Sequence, residues 1–315
     1  MTENIFKELT VPAHLASQRV DRVVVELLPQ YSRAKIQTWI KMGMLLVNDH
    51  VARPKDKVKI NDTLQLNVEF VDEGNWLAED IPLTVVFEDE HLLVIDKSAD
   101  FVVHPAPGHP TGTVVNAALH HCPQLASLPR AGIVHRLDKD TTGLMVIAKT
   151  LEAHHSLVKQ LQNRTMGREY DAVVWGELTG GGTVNAALGR HPKNRQKMAV
   201  VADGKPAITH YRIVKRFTGC THLRLKLETG RTHQIRVHMA HISHPIVGDP
   251  VYCYRTGSVK TMSRSARLAV EIFSRQALHA SGLRLEHPCH GKELNWETQL
   301  PQDMFDLMAA VEIAG

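Results

Sequence analysis

The chain has 315 residues, of which 43% are hydrophobic and 22% are charged. This composition is typical of globular proteins and excludes extended disorder, and the length is sufficient for about two domains with buried cores. No stretch reaches the roughly 18 consecutive apolar residues that a membrane-spanning helix needs.

The N-terminus and the cysteines both indicate a reducing compartment. Residues 1–8 include Glu3, Lys7 and Glu8 and contain no apolar run, so we expect no secretory signal. The four cysteines are scattered without the Cys-x-x-Cys spacing of zinc modules, and a disulfide scaffold is not expected in a chain of this kind. We therefore expect a cytoplasmic protein.

The formal net charge is only +4, but it is unevenly distributed. Residues 186–240 contain 12 lysines and arginines against two acidic residues, so the rest of the chain is mildly acidic. A basic segment of this kind indicates a polyanionic partner that binds with salt-sensitive affinity. A solvated surface with interspersed basic side chains is the alternative, and charge alone does not separate the two.

The first 70 residues predict two helices followed by short strands. Apolar residues recur at helical spacing over residues 20–28, and Pro29 follows them. Ser32 is a suitable N-cap for a second helix, which Gly43 ends. Alternating apolar residues over residues 44–68, with Asn-Asp turn pairs, then predict a small hairpin-rich sheet.

This order of elements resembles the S4 RNA-binding domain. That family carries Ser-Arg at the start of its second helix, a glycine after it and a Val-Asn-Gly turn. Residues 32–33, Gly43 and residues 47–48 match these features, with Asp in place of the turn glycine. The resemblance implies that Arg33 and Lys35 contact RNA. A generic two-helix cap on the main body is the alternative.

From residue 81 onward, strand signals outnumber helical ones and do not alternate regularly with them. The expected strands cover residues 84–87, 92–95, 144–148, 173–175, 223–227 and 278–285, and a helix is expected over 150–162. This pattern predicts an α+β protein whose larger domain has a mixed, mainly antiparallel sheet flanked by helices.

We expect three segments along the chain. An N-terminal extension covers residues 1–16, and an S4-like α/β domain covers residues 17–80, including an acidic linker at 71–80. The larger domain covers residues 81–315.

The most informative segment is residues 132–150, where the polar run 135–142 lies between two apolar runs. Asp138 is therefore expected on a loop held by two strands, which is a common support for a reactive group. From spacing alone, a turn residue or a helix cap is the default assignment for an Asp in a loop.

Residues 135–143 resemble His-Arg-Leu-Asp-x-x-Thr-[Ser/Thr]-Gly, the signature of RluA-type pseudouridine synthases. Residues 168–172, 227–252 and 275–304 resemble the tyrosine motif, the arginine motif and the C-terminal signature of that family. With the S4-like unit, the resemblance covers nearly the whole chain. The residues in these motifs are most similar to those of the RluD-like branch of the family, which acts on large-subunit ribosomal RNA.

The resemblance implies the pseudouridine synthase fold, with residues 81–315 as the catalytic domain. It implies isomerisation of uridine to pseudouridine in large-subunit (23S) ribosomal RNA, either free or in a pre-50S particle. Asp138 would be the nucleophile, which requires an ionised carboxylate. Arg236 would pair with Asp138, and Tyr170 would stack on the uracil and help to remove the C5 proton. A surface phosphate contact for Arg236 and a plain core position for Tyr170 are the alternatives.

The resemblance also implies RNA contacts around the pocket. Arg136 would fill the gap that an extruded uridine leaves in the base stack, because its planar guanidinium stacks on bases and its charge meets phosphate. His135 would support the loop beside the RNA. Arg231 and His233 lie in the basic arginine motif and would face the RNA.

No cofactor, nucleotide or metal is expected, because the reaction is an isomerisation without redox change or an external group. His238 and His241 lie three apart on an expected helix, but neither HExxH nor a Cys pair with ligand spacing is present. We expect a monomer. Two other classes stay open, a non-catalytic S4-type RNA-binding ribosome assembly factor and a metal-dependent RNA hydrolase.

Overall fold

The computed structural model describes residues 4–29, 31, 33–69, 76–105, 110–194, 197–253 and 262–312. The chain divides into two units, Met1–Asn75 and Trp76–Gly315. The division falls within the segment 71–80 that the sequence predicted as an acidic linker.

The smaller unit combines an antiparallel sheet with two helices. In chain order it consists of β1 (Asn4–Thr10), α1 (Val20–Leu27), α2 (Arg33–Lys41), β2 (Leu45–Val47), β3 (His50–Val51) and β4 (Thr63–Glu69). The strands lie in the order β1-β4-β2-β3. The apolar face predicted for the first helix forms the core, since Val20, Val23 and Val24 are fully buried.

The hairpin predicted at residues 48–49 joins β2 to β3. Asn48 and Asp49 both have positive φ, of 48° and 64°, as a two-residue hairpin turn of this type requires. The proposed N-cap Ser32 lies outside the described residues.

Two details of the smaller unit correct the sequence prediction. The segment expected as a separate N-terminal extension contains β1, which pairs with β4 from Asn4↔Glu69 to Thr10↔Thr63 and covers its edge. Residues 58–60 were expected to form a strand before the turn at Asn61 and do not, because the Val58 carbonyl accepts a hydrogen bond from the Ser17 amide. The expected turn is present, with a φ of 63° at Asn61.

The larger unit contains most of the chain's secondary structure. Its elements are β5 (Val85–Glu88), β6 (Leu92–Lys97), α3 (Val114–His121), β7 (Thr142–Ala148), α4 (Leu151–Gln162), β8 (Gly167–Trp175), β9 (Gly182–Asn185), β10 (Leu188–Arg190), β11 (Met198–Val200), β12 (Ile208–Phe217), β13 (Cys220–Leu227), α5 (Gln234–His241), α6 (Arg264–Ile272), β14 (Leu278–Glu286), β15 (Glu293–Glu297) and α7 (Gln302–Glu312).

A large mixed sheet organises this unit. Its strand order is β5-β6-β7-β14-β8-β13-β12-β9, with β15 paired to β14. In the described residues, β7 and β14 are its parallel pair and the other pairings are antiparallel. The prediction of an α+β fold with a mixed, mainly antiparallel sheet flanked by helices is confirmed.

Strand β7 is buried on both faces, which explains its continuous apolar sequence. Met145 and Ile147 pack in one core with residues of α3, whereas Leu144 and Val146 pack in a second core with residues of α4. The strand is therefore a rigid central support, and the loop carrying Asp138 leads directly into it.

Across the described ranges, the structure contains no helix with both the length and the hydropathy needed to span a bilayer.

We expect Gly143→Ala to destabilise the protein by more than about 2 kcal/mol. Gly143 lies in β7 with a φ of +111°, and a Cβ there would meet the carbonyl oxygen of Ala280 at 2.2 Å. Gly180→Ala is the matched control, because a Cβ at Gly180 meets no atom within 4 Å. Urea unfolding followed by tryptophan fluorescence measures both, and equal stability of the two variants would contradict this account of β7.

Candidate active site

A cavity of about 860 Å³ opens in the larger unit, and three parts of the chain form most of its wall. The loop before β7 supplies residues 133–138, β8 supplies Arg168 and Tyr170, and the segment leading from β13 into α5 supplies residues 227–236. A cavity of this volume can hold a nucleotide. Seven residues that the sequence proposed for the site line it: Asp138, Arg236, Tyr170, Arg136, His135, Arg231 and His233.

The backbone holds Asp138 in place from both sides. Before it, residues 130–132 all have left-handed backbone, with φ of 54°, 49° and 77°, a conformation that costs about 1–3 kcal/mol for each non-glycine residue. Leu137 is buried in the core. After Asp138, the amide of Thr141 donates to the Asp138 carbonyl at 3.0 Å. The carboxyl group is therefore presented by a fixed turn.

Arg236 on α5 joins two carboxylates. Its Nη1 donates to Oδ2 of Asp138 at 2.9 Å, while its Nε and Nη2 donate to the two oxygens of Asp249 at 2.7 and 2.9 Å. Asp249 also accepts hydrogen bonds from the amides of Val251 and Tyr252, so it is itself held rigidly. The bidentate pair fixes the plane of the guanidinium and aims its remaining edge at Asp138.

Burial differs along this chain of charges. The side chains of Arg236 and Asp249 are 6% and 0% exposed, whereas that of Asp138 is 18% exposed. Burial lowers the pKa of Arg236, but the bonds and charges of Asp249 and Asp138 raise it above its ordinary value. Arg236 thus stays charged, and Asp138 is the member of the group that can meet a ligand in the cavity.

Tyr170 lies on the buried face of β8 and is 6% exposed. Burial raises the pKa of its phenol, and the negative charge of Asp138 acts in the same direction, although the charge of Arg168 opposes it. The phenol is therefore neutral at physiological pH, which suits a stacking surface and not a base.

His135 is hydrogen-bonded to the strand that follows its loop. Its Nε2 accepts a hydrogen bond from the amide of Val146 at 3.1 Å. Burial and the nearby charge of Arg168 lower the pKa of His135 to about 3, so the ring is neutral. Arg136, next along the chain, is exposed at the cavity, where an arginine can meet RNA.

His233 precedes α5 with a left-handed backbone, at a φ of 55°. Its Nε2 lies 3.9 Å from Oδ1 of Asp138, and its Nδ1 lies 2.8 Å from Oη of Tyr252. Arg231 lies at the same end of the cavity, and its Nε donates to the carbonyl of Pro206. Both residues face the cavity that the sequence assigned to RNA.

The remaining two proposed RNA contacts lie in the smaller unit. Arg33 donates to the buried carboxylate of Asp21 at 2.9 Å, beside Arg19, which binds the same group. Burial would raise the pKa of Asp21, but the hydrogen bonds from Arg19, Gln37 and Arg33 lower it to about 2. The Lys35 side chain lies outside the described residues.

Sequence reasoning missed several residues that fix this site. Lys97 is 1% exposed, and its ammonium donates to the carbonyls of Ser98, Phe101 and Lys139. Arg275 donates to the carbonyl of Asp140. These two side chains hold the backbone that follows Asp138. They come from distant parts of the sequence, so no local spacing indicated them, whereas Asp249 stood inside a noticed motif without an assigned role.

No group of three or more His, Cys, Asp and Glu side chains suited to a metal occurs in the part of the chain that the structure describes. His238, one of the histidines considered as a ligand, is fully buried and is hydrogen-bonded to Thr209 and to the carbonyl of Ala186.

The fold and the cavity together define a class of protein. A carboxylate held by a guanidinium, a buried aromatic ring and exposed arginines surround a nucleotide-sized cavity on a mixed sheet. This combination is typical of an enzyme that acts on a nucleotide extruded from a nucleic acid.

Comparison with protein families agrees with this class. The family model described as RNA pseudouridylate synthase matches residues 91–241, and the S4 domain model matches residues 18–64. Proteins named "Ribosomal large subunit pseudouridine synthase D" are similar to almost the whole chain. The protein of Pseudomonas aeruginosa is 53% identical, over 98% of this chain and 97% of the relative. That of Escherichia coli K12 is 51% identical, over 98% and 95%.

Solved structures show the same fold. Human RNA Pseudouridylate Synthase Domain Containing 4 matches with a TM-score of 0.56 at 22% identity, over 72% of this chain and 92% of that chain. Domain Containing 1 matches with a TM-score of 0.53 at 22% identity, over 74% and 96%. The chain belongs to the RNA pseudouridylate synthase family and carries an S4 domain, as its motifs implied.

We expect Asp249→Asn to lower kcat by roughly tenfold or more with little change in KM, since a displacement of about 1 Å at the reacting group can cost up to about 100-fold in rate. The substitution replaces one oxygen of the bidentate pair and lets the Arg236 guanidinium turn away from Asp138. Asp171→Asn is the matched control, because Asp171 is a buried partner of Arg224 that does not line the cavity. Steady-state kinetics on the RNA substrate give the comparison, and equal effects of both variants would argue against a positioning role.

Proposed function

We propose that this protein isomerises specific uridines to pseudouridine in large-subunit ribosomal RNA, with Asp138 as the nucleophile. The observation that carries the proposal is the 2.9 Å bond between Arg236 and Asp138 inside the cavity. The names of the similar proteins support the choice of RNA. A non-catalytic assembly factor is disfavoured, because such a protein has no need to keep this charged pair beside Tyr170.

The chemistry requires that the uracil stay bound throughout. The C1′–N1 bond breaks, the base rotates and C1′ bonds to C5, while N1 gains a proton and C5 loses one, so the reaction is balanced without a co-reactant. Asp138 attacks C1′ or C6, or the sugar is first deprotonated at C2′ to form a glycal. Each route uses an ionised carboxylate, and Arg236 holds that carboxylate in position by donating to its Oδ2.

Tyr170 contacts the extruded base, and Arg136 contacts the helix that the base has left. The buried, neutral ring of Tyr170 offers a stacking surface for uracil, and its raised pKa argues against a role as the base that removes the C5 proton. Extrusion costs a few kcal/mol, and the exposed Arg136 offsets part of it by occupying the vacated position in the stack.

The S4 domain would position the RNA through Arg33 and Lys35, and Arg231 and His233 would contact it near the cavity. The substrate would be the ribosomal RNA, free or in a pre-50S particle, and the protein would act on it as a monomer in the cytoplasm.

The test is to map pseudouridines in ribosomal RNA from cells with and without this protein. Loss of specific sites in the large-subunit RNA supports the proposal, and an unchanged map contradicts it.

We expect Asp138→Asn to abolish the isomerisation, because a neutral amide is not a nucleophile. RNA affinity and thermal stability should stay close to those of the unaltered protein, since the Asn side chain still fills the turn. Single-turnover assays and RNA binding measure the two effects separately. Asn variants that retain full activity would refute the assignment of Asp138.

Removal of residues 1–75 should raise the Kd for RNA by at least about tenfold, because the phosphate contacts of the S4 domain are lost. The single-turnover rate at saturating RNA should change far less, since the cavity lies wholly in the other unit. Arg33→Ala in the full chain is the milder companion variant. Unchanged affinity of the shortened protein would show that the S4 domain does not position the substrate.

A further inference from the structure

Arg168 is buried and has no partner among the residues that the structure describes. The residue is 8% exposed, and it makes no hydrogen bond or ion pair with any residue that the structure describes. Its Nε is buried and has no acceptor. A buried donor without an acceptor is unfavourable, so a ligand in the cavity that supplies an acceptor would be stabilised here.

Of the other arginines that line the cavity, Arg130, Arg136 and Arg231 are exposed to solvent, whereas Arg164 and Arg236 have carboxylate partners. Arg236 binds Asp138 and Asp249, Arg164 pairs with Glu228 at 3.0 Å, and Arg275 pairs with Asp303. Arg168 differs from these arginines in being buried and unpaired at the same time.

The position of Arg168 relates it to the bound nucleotide. It precedes Tyr170 by two residues on β8, so the two side chains share one face of the strand, about 7 Å apart along it. Both line the cavity. If uracil stacks on Tyr170, the backbone of the same nucleotide lies within reach of Arg168.

A second feature of the wall also favours an anion here. A Cβ at Gly230 would lie 2.4 Å from Nη1 of Arg168, so the guanidinium packs directly against the loop that leads into α5. Residues of the first turn of α5 line the same cavity, and that turn contains no acidic side chain. The first turn of α5 therefore brings no negative charge to this wall of the cavity.

We propose that Arg168 binds a phosphodiester group adjacent to the extruded uridine. Phosphate is preferred over the base as the ligand, because uracil is neutral and would leave the guanidinium charge uncompensated. Arginine is also the side chain whose geometry suits bidentate binding of phosphate. The proposal rests on the proposed function for the identity of the nucleotide, but the anion site itself does not.

The first experiment compares Arg168→Met, Arg168→Lys and Arg224→Met. The probe is a synthetic RNA stem–loop that contains a uridine shown to be modified by the mapping described above. Arg168→Met is expected to raise the Kd for this RNA roughly 10- to 100-fold, as loss of a charged hydrogen-bonding contact does, and to reduce the salt dependence of binding by about one charge. Arg168→Lys should recover part of the affinity.

Thermal unfolding separates binding from structure. Arg168→Met should leave Tm unchanged or raise it, because it removes an unpaired buried charge. Arg224→Met should lower Tm, because it removes one of the two charged partners of the buried Asp171 and leaves it only His222, and it should leave RNA affinity unchanged. A fall in Tm for Arg168→Met equal to that for Arg224→Met would indicate a structural role and overturn the proposal.

The second experiment removes the charge from the RNA instead. One methylphosphonate is placed at each phosphate flanking the target uridine in turn. At one of the two positions the modification should lower the affinity of the unaltered protein. The affinity of Arg168→Met, which already lacks this contact, should change little with the same modification. Equal losses of affinity in both proteins at both positions, or a fall in kcat for Arg168→Met without a change in Kd, would show that Arg168 does not bind the phosphate.

If the unaltered protein binds the RNA but forms no pseudouridine, the proposed function fails while the phosphate test still decides the role of Arg168.

Discussion

The site depends on the way in which one guanidinium is shared between two carboxylates. Asp249 binds Nε and Nη2 of Arg236 and fixes the plane of the guanidinium, so that Nη1 is left to hold Asp138 at 2.9 Å. Because Asp249 and Arg236 are buried and neutralise each other, Asp138 supplies the net charge of the group. The carboxylate that faces the cavity is thus held in position before any substrate arrives, which is the condition for efficient attack.

Two buried arginines that line the same cavity differ in how many hydrogen-bond acceptors the protein gives them. Arg236 is saturated with protein acceptors, whereas Arg168 has none in the described residues. The first arrangement fixes a reactive group in the free protein. The second stores an unsatisfied charge that a ligand can satisfy, so binding energy from the RNA backbone is available to offset the cost of extruding the base.

The sequence predicted what local patterns encode. The first helix, the turn at Asn48 and the helix after Thr150 were found from periodicity and caps, and the motif around Asp138 identified the family. The pairing of β1 with β4 was missed because it joins residues about 60 positions apart. Lys97 and Arg168 were missed for the same kind of reason: each acts through burial and through partners present or absent in space, which spacing along the chain does not reveal.

The most direct test of the account is a crystal structure of the Asp138→Asn protein bound to an RNA stem–loop that contains its target uridine. We expect the uridine to lie outside the helix, with its ring stacked on Tyr170 and its C1′ and C6 edge in contact with residue 138. A complex that binds the RNA with this uridine still paired, or with its base outside the 860 Å³ cavity, would contradict the account.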